Sequence, residues 1–271
     1  MRAAARGRTQ NRGAPGDAQQ HDSQGPLTLA FDIGGSHLKA GILSPKGKML
    51  KGPNQVVTPH PTVPQEVVEA LTGLAGALGP HDRITIGFPG VVRADYVVTA
   101  PNLGTGLWQG FELAAILHKR LKKPVRMLKD ASVQGLGAVS GKGVECALTM
   151  GTGFGFALFE HGRLAPHLEM SQHPIKTNTT YDQYLGEKAL EAVGPKAWNK
   201  RVREIIGVLA TVTNYDMLYI GGGNARLIEK PLPDTVRTVS NEDGITGGVK
   251  VWNKVMDQSF TGVSSAFVTA S

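Results

Sequence analysis

Two glycine-rich turns, each closing a run of apolar residues, are the first features of this chain that could do chemistry. Asp32-Ile33-Gly34-Gly35-Ser36 and Gly151-Thr152-Gly153 present backbone N–H groups with little Cβ to shield them, so an anion can come close. Ser36 adds a hydroxyl, and Lys39 could add a charge. Asp32 would repel a phosphate directly, so its sensible role is to act through a hydrated Mg²⁺. Either turn alone reads equally well as an ordinary hairpin. Two of them in equivalent places suggest that both address one anionic chain. A third run, Gly221-Gly222-Gly223-Asn224, passes from strand to helix, where a helix N-terminus favours anions and an open turn admits a flat base or sugar. None of the three fits the P-loop pattern.

Asp130 stands where a strand hands over to a helix, the end of a strand at which α/β proteins place ligands. It reads as a helix N-cap or as a general base that draws the proton from a substrate hydroxyl. Asn102, after Pro101, both donates and accepts, as a polyol requires, and also suits a plain turn. Glu169 and His173 lie in a stretch without periodicity and fit either sugar hydroxyls or a solvated loop. Their spacing is not a zinc pattern. Lys119, Arg120, Lys122, Lys123 and Arg126 form a basic stretch that could hold a long polyphosphate or simply be a solvated helix end.

The elements that must position these residues follow from hydrophobic spacing. Strands are expected at 27–32, 38–43 and from 49, at 83–88 and at 124–128. Helices are expected at about 63–78, 111–121 and 131–139, and a hairpin at 91–99. From residue 144 the order strand, glycine turn, strand, turn, strand repeats. Helices at about 181–193 and 198–213, strands at 217–220 and 235–239, and a last helix at about 244–256 complete the chain. Strands mixed with helices define an α/β protein, and the repeated unit suggests two related halves across a cleft.

The 271 residues are 41% hydrophobic and 19% charged, with one cysteine, Cys146. That count excludes an internal disulfide and a multi-cysteine metal site. There is no apolar run of about 18 residues to span a bilayer. Arg2, Arg6, Arg8 and Arg12 have no apolar stretch behind them, so a secretory leader is not expected, and a cytoplasmic location is. The formal charge of +7 suits an anionic small partner and does not by itself point to nucleic acid. Residues 1–26 lack Ile, Val and aromatic residues and are expected to be disordered.

Seven segments, taken in order, resemble the ROK family of sugar kinases and, within it, the compact polyphosphate-glucokinase-type branch. They are FDIGGSHLKAGIL (31–43), GFPGVV (87–92), VVTAPNLGTGLW (97–108), PVRMLKDASVQGLGAV (124–139), ALTMGTGFGFALFEHGRL (147–164), HLEMSQHP (167–174) and LYIGGGNARLI (218–228). The resemblance implies an actin-like, RNase H-like ATPase fold of two lobes, each a mixed sheet flanked by helices. The lobes would span 27–129 and 130–256, with the last helix returning toward the first lobe and a tail at 257–271. It implies transfer of a phosphoryl group from ATP or polyphosphate, with Mg²⁺, to a hexose hydroxyl, most simply glucose to glucose 6-phosphate. Asp130 would be the base, and Asn102, Lys129, Glu169 and His173 would lie at the sugar. Asp32, Gly34, Gly35, Ser36, Lys39, Gly151, Thr152 and Gly153 would bind phosphate. Gly221, Gly222, Gly223 and Asn224 would lie near the nucleoside. A homodimer without nucleic-acid or membrane partners is also implied.

Three features depart from the family pattern. Lys129 replaces the usual Asn before the catalytic Asp. Glu169-Met170-Ser171-Gln172-His173 is one residue longer than the usual Glu-x-Gly-His and lacks its glycine. The cysteine-rich zinc motif of larger members is absent. The competing expectations are a weak or inactive sugar-binding regulator without its own DNA-binding domain, and an actin-like nucleotide hydrolase that uses no sugar.

Overall fold

The computed structural model describes residues 25–93 and 96–260. Nearly all of the segment expected to be disordered, and most of the expected tail, lie outside these residues. The first sheet has the order β3-β2-β1-β4-β5, from β1 (Thr28–Ile33), β2 (His37–Leu43), β3 (Met49–Val57), β4 (Arg83–Phe88) and β5 (Val125–Lys129). The second has the order β8-β7-β6-β9-β10, from β6 (Val144–Met150), β7 (Phe154–Glu160), β8 (Arg163–Leu164), β9 (Met217–Gly221) and β10 (Val236–Thr238). In each sheet three antiparallel strands are followed by two parallel ones. The repeat read from two glycine turns is therefore a duplicated topology, the one expected of the actin-like, RNase H-like ATPase fold.

Period-two alternation assigns the two faces of the first sheet. Leu29, Phe31, Ile33, Ile84, Ile86 and Phe88 face outward, toward α1 (Pro64–Leu78) and α2 (Leu113–Leu121), where Leu71, Leu74 and Leu117 complete a core. The alternate residues Ala30 and Thr85 face inward, toward the other lobe. The second sheet covers its outer face with α5 (Glu187–Thr213), through Trp198, Val202, Ile205 and Leu209 packed on Cys146, Leu148 and Phe156. A short α4 (Tyr181–Leu185) precedes α5, and a Thr180–Gln183 capping box starts it.

Between the sheets lie α3 (Asp130–Ala138) and α6 (Asn241–Lys250). Helix α3 rests on the second sheet, so closely that a Cβ on Gly135 would meet the Phe159 ring and Ala147. Helix α6 rests on the first sheet, with Val249 against Ala30 and Leu43. Thr85, fully buried, donates to the Gly248 carbonyl at 2.7 Å and accepts from Trp252 Nε1 at 2.9 Å. The two helices cross backbone to backbone, because a Cβ on Gly247 would run into the Val133 carbonyl.

Three elements differ from expectation. Strand β3 continues to Val57, although all but its first residue are exposed. An edge strand with no buried face carries no alternation to read, and its register slips near Gly52, where φ is 88° and a Cβ would press on the Ala40 carbonyl. The two expected long helices abut, with α5 broken only at Gly194 before Pro195. The last helix ends at Lys250 rather than Met256, and a 3₁₀ turn follows at Lys254–Ser259. Arg126 explains the stop. It donates to the Val251 carbonyl at 2.9 Å and stacks on Trp252 and Phe260, which requires the chain to turn.

Gly247→Ala is expected to lower unfolding stability by about 1–3 kcal/mol, the usual penalty for overpacking a tight contact. Urea denaturation would measure it, and an unchanged midpoint would show that the crossing is not tight in solution.

Candidate active site

The three glycine turns and Asp130 all stand at the C-terminal ends of strands, β1, β6, β9 and β5, and all open onto one inter-lobe cleft of about 1060 Å³. Two tethers shape the first turn. Gly34 N–H donates to the His37 carbonyl at 3.0 Å, and Thr58 bonds Gly34 O and Ser36 O through its hydroxyl and amide. Among the described residues, the Gly35 and Ser36 amides have no acceptor. The second turn is built alike. Gly151 N–H donates to the Gly153 carbonyl at 3.1 Å, leaving the Thr152 and Gly153 amides without a recorded acceptor among the described residues. Asn224 joins the third turn to the second, donating to the Gly151 carbonyl at 3.2 Å. Gly222, with φ of 91°, lies against the Met150 backbone, where no Cβ fits.

Asn102 stands between the first two turns. A Cβ on Gly35 would lie 3.7 Å from its carbonyl, and one on Gly153 would lie 3.3 Å from its side-chain nitrogen. A polar amide therefore sits between a turn of one lobe and a turn of the other.

Asp32 and Asp130 share the cleft floor on either side of Gly87, whose added Cβ would lie 3.8 Å from Asp32 Oδ1 and 3.5 Å from Asp130 Cα. Enclosure raises the Asp32 pKa, and Lys39, its cross-strand partner, opposes the rise. Lys39 thus belongs beside Asp32 on the cleft wall. Asp130 is the first residue of α3, and its Oδ1 accepts the Ala131 amide at 2.6 Å. The N-cap position falls on Lys129, so Asp130 is not the cap expected of it; its Oδ2 has no partner among the described residues, as a base requires. Enclosure lifts the Asp130 pKa to about 6. Lys129 and the Ala131 amide pull it down, while Asp32 and Glu169 push it up.

Lys129 is only 4% exposed. Its Nζ donates to Glu169 Oε1 at 2.8 Å and Oε2 at 2.9 Å. Ser171 also donates to Oε1, and His167 makes a long contact of 3.4 Å with Oε2. Burial works against the Glu169 charge, but the bonds from His167, Lys129 and Ser171, with the Lys129 charge, hold its pKa down at about 2.

Two expected residues stand elsewhere. His173 is exposed and outside the cleft, its ring 6.1 Å from that of Tyr181. The 3₁₀ turn Met170–Gln172 uses the extra residue of this loop to carry the chain out before His173. Gly221 ends β9 buried against Gln134 and Val239 and does not line the cleft. The basic stretch lies at the other end of β5 from Asp130. There Arg120 pairs with Glu69 at 2.6 Å and Arg126 with Asp257 at 2.8 Å, so it forms no track into the cleft.

Asp182 is a cleft residue that sequence reasoning missed. Its Oδ1 accepts the Phe154 amide at 2.6 Å, and it sits against Gly153. Burial raises its pKa, the Phe154 bond lowers it, and the Glu169 charge raises it. The Thr180–Gln183 capping pattern was there to be read as a helix start, but nothing in it shows that Asp182 reaches a turn 28 residues away. Ser171, hidden in the same irregular loop as Glu169, was also missed.

A two-lobed α/β fold with paired phosphate-type turns and an enclosed carboxylate between them is the architecture of a phosphoryl-transfer protein. The ROK family matches residues 28–166, just over half of the chain, and the chain belongs to that family. A polyphosphate glucokinase of Mycobacterium leprae is 27% identical over 240 residues, covering 81% of this chain and 72% of that protein. The polyphosphate glucokinase of Mycobacterium tuberculosis is 28% identical over the same length and covers 88% of its own. Among solved structures, the inorganic polyphosphate/ATP-glucomannokinase of Arthrobacter sp. strain KM superposes with a TM-score of 0.77 at 25% identity, covering 86% of this chain and 100% of the other. A ROK family glucokinase of Streptomyces griseus, in complex with glucose and AMPPNP, gives a TM-score of 0.69 at 18% identity, covering 83% and 98%.

The two perturbed carboxylates affect stability with opposite signs. The raised Asp130 pKa makes the native state lose stability as pH rises from about 4 through 6, where the enclosed carboxylate ionises. Asp130→Asn is therefore expected to raise unfolding free energy at pH 7 by about 1–3 kcal/mol, a gain that vanishes below about pH 4. The depressed Glu169 pKa gives stability that is present above about pH 4.5 and lost as pH falls toward 2. Glu169→Gln strands the Lys129 charge and should cost about 3 kcal/mol at pH 7. Urea curves for both variants across this pH range would check the signs.

Proposed function

We propose that this protein transfers a phosphoryl group from ATP or polyphosphate to a hexose hydroxyl, with glucose the simplest acceptor. The observation that carries the reading is the cleft itself. An enclosed carboxylate with one unengaged oxygen faces two turns in which the Gly35, Ser36, Thr152 and Gly153 amides lack acceptors among the described residues. Asp130 Oδ2 takes the hydroxyl proton as the oxygen attacks phosphorus. The Gly35, Ser36, Thr152 and Gly153 amides hold the charge that builds on the transferred group. Gly222, Gly223 and Asn224 line the cleft where a nucleoside would lie. Asn102, Glu169 and Asp182 offer the acceptor its polar contacts.

The donor set fits Mg²⁺. Among the described residues no group of three or more His, Cys, Asp or Glu could hold a metal ion by itself. Asp32, an enclosed carboxylate without a hydrogen-bond donor among the described residues, suits an ion that keeps its waters and is shared with substrate phosphates. When bound, that ion would supply positive charge to the donor phosphates. The homodimer and the cytoplasmic location expected from the family belong to this proposal. Among the described residues no helix is long and apolar enough to cross a membrane.

The test crosses glucose, mannose, glucosamine and N-acetyl sugars with ATP and long-chain polyphosphate in the presence of Mg²⁺. Asp130→Asn should cut transfer by about 10²–10⁴-fold while sugar binding persists. Wild-type transfer should fall about tenfold per pH unit below the Asp130 pKa of about 6. Wild-type turnover in Asp130→Asn would remove the base assignment. Sugar binding without transfer from either donor would favour the regulator reading, and phosphate release indifferent to sugar would favour the hydrolase.

A further inference from the structure

The Lys129–Glu169 pair limits what the acceptor can touch. A carboxylate oxygen has two good acceptor directions. Oε1 of Glu169 spends both, on Lys129 and Ser171. Oε2 spends one on Lys129 and has only the long 3.4 Å contact with His167 on the other. Glu169 can therefore take one further donor, at Oε2. Lys129 has three N–H donors and no acceptor, and two of the three are committed to Glu169.

Charge makes the same point. Asp32, Asp130, Glu169, Asp182 and Glu187 line this cleft, together with Lys39, Lys48 and Lys129. With Glu169 unpaired, the acceptor end would be strongly anionic and would attract a cation. Lys129, nine-tenths and more buried beside Glu169, cancels that charge where it lies. An amide at this position would cancel nothing. A cationic acceptor drawn to Glu169 meets the Lys129 ammonium already seated on both of its oxygens.

We infer that Lys129 is a specificity-determining residue that excludes sugars carrying an ammonium group from the Glu169 end of the acceptor site. The inference rests on the proposed acceptor site, and its readout is equilibrium binding, which needs no turnover. Glucose, glucosamine and 3-amino-3-deoxyglucose would be titrated calorimetrically into full-length wild type, Lys129→Asn and Lys129→Met without donor, at a pH that keeps the amines protonated. The two amino sugars present the charge at neighbouring carbons. Where Lys129→Met fails to fold, Lys129→Asn carries the test.

In wild type, glucose should bind more tightly than either amino sugar. In the variants, the affinity ratio of at least one amino sugar to glucose should rise about tenfold or more, as expected when a like charge is removed. Adding Glu169→Gln to Lys129→Asn should abolish that rise, because the attracting carboxylate is then gone. A ratio that stays within about twofold for both amino sugars, with affinities falling in parallel, would reduce Lys129 to a structural residue and overturn the inference. Failure of wild type to bind any of the three would overturn it as well. Binding with the expected ratios but no transfer would sink only the kinase reading.

Discussion

An ionised carboxylate inside a protein must be offset by a donor, a cation or a ligand, and the cleft of this chain concentrates that requirement. Five carboxylates line it, and those of Asp32, Asp130, Glu169 and Asp182 are each handled differently. Glu169 is paired with Lys129. Asp182 is tied by one oxygen to the backbone of a glycine turn. Asp32 has a lysine across the strand pair but no hydrogen-bond donor among the described residues. Asp130 spends one oxygen on its own helix and leaves the other facing the cleft. The result is a graded set of proton affinities within one enclosure. The Asp130 pKa stands near 6 and that of Glu169 near 2, although the two are neighbours. Pairs of groups pushed apart in this way divide the work of a site between holding charge and moving protons.

The fold makes that arrangement possible by aligning strand ends. Both lobes run their three antiparallel strands and two parallel strands in the same order, so the ends of β1, β5, β6 and β9 converge. Alternation along β1 and β4 then decides which side chains reach the inter-lobe face. Leu29, Phe31, Ile84 and Ile86 turn outward into a core. Asp32 and Gly87 turn inward, and the glycine makes room between two aspartates. Position and parity, more than local propensity, put the chemistry in place.

Much of this was legible in the sequence, because the strands that build the sheets have buried faces and glycine turns mark their ends. The strands at 83–88, 144–150 and 154–160 and the positions of all three glycine turns follow directly from the residue pattern. Asp130 could be singled out, and its neighbours Asp32 and Asn102 with it. What could not be read is long-range pairing in irregular chain. Nothing local says that Lys129 will spend its charge on Glu169, 40 residues away. The single extra residue before His173 was visible, but the 3₁₀ turn that takes the imidazole out of the cleft was not. Asp182 was hidden inside an unremarkable helix start. The exposed edge strand β3 was underestimated for want of alternation, and the last helix overestimated because Arg126, distant in sequence on β5, holds the chain just beyond Lys250.

The crossing of α3 and α6 has a mechanical meaning. Most helix pairs interlock side-chain ridges, and turning one on the other means lifting ridges out of grooves. Here the closest contact is glycine against peptide backbone, and the side-chain ties are the long bonds from Lys250 Nζ to the Gly137 and Val139 carbonyls at 3.3 and 3.4 Å. One helix begins with Asp130, and the other carries Ile245 and Thr246 at the cleft wall. Each rides on a different sheet. A small rotation about that point of contact would swing the two sheets like the arms of a pair of tongs, with Asp130, one helical turn from Val133, close to the pivot. Such a joint lets the jaws travel while Asp130 near the axle stays almost still.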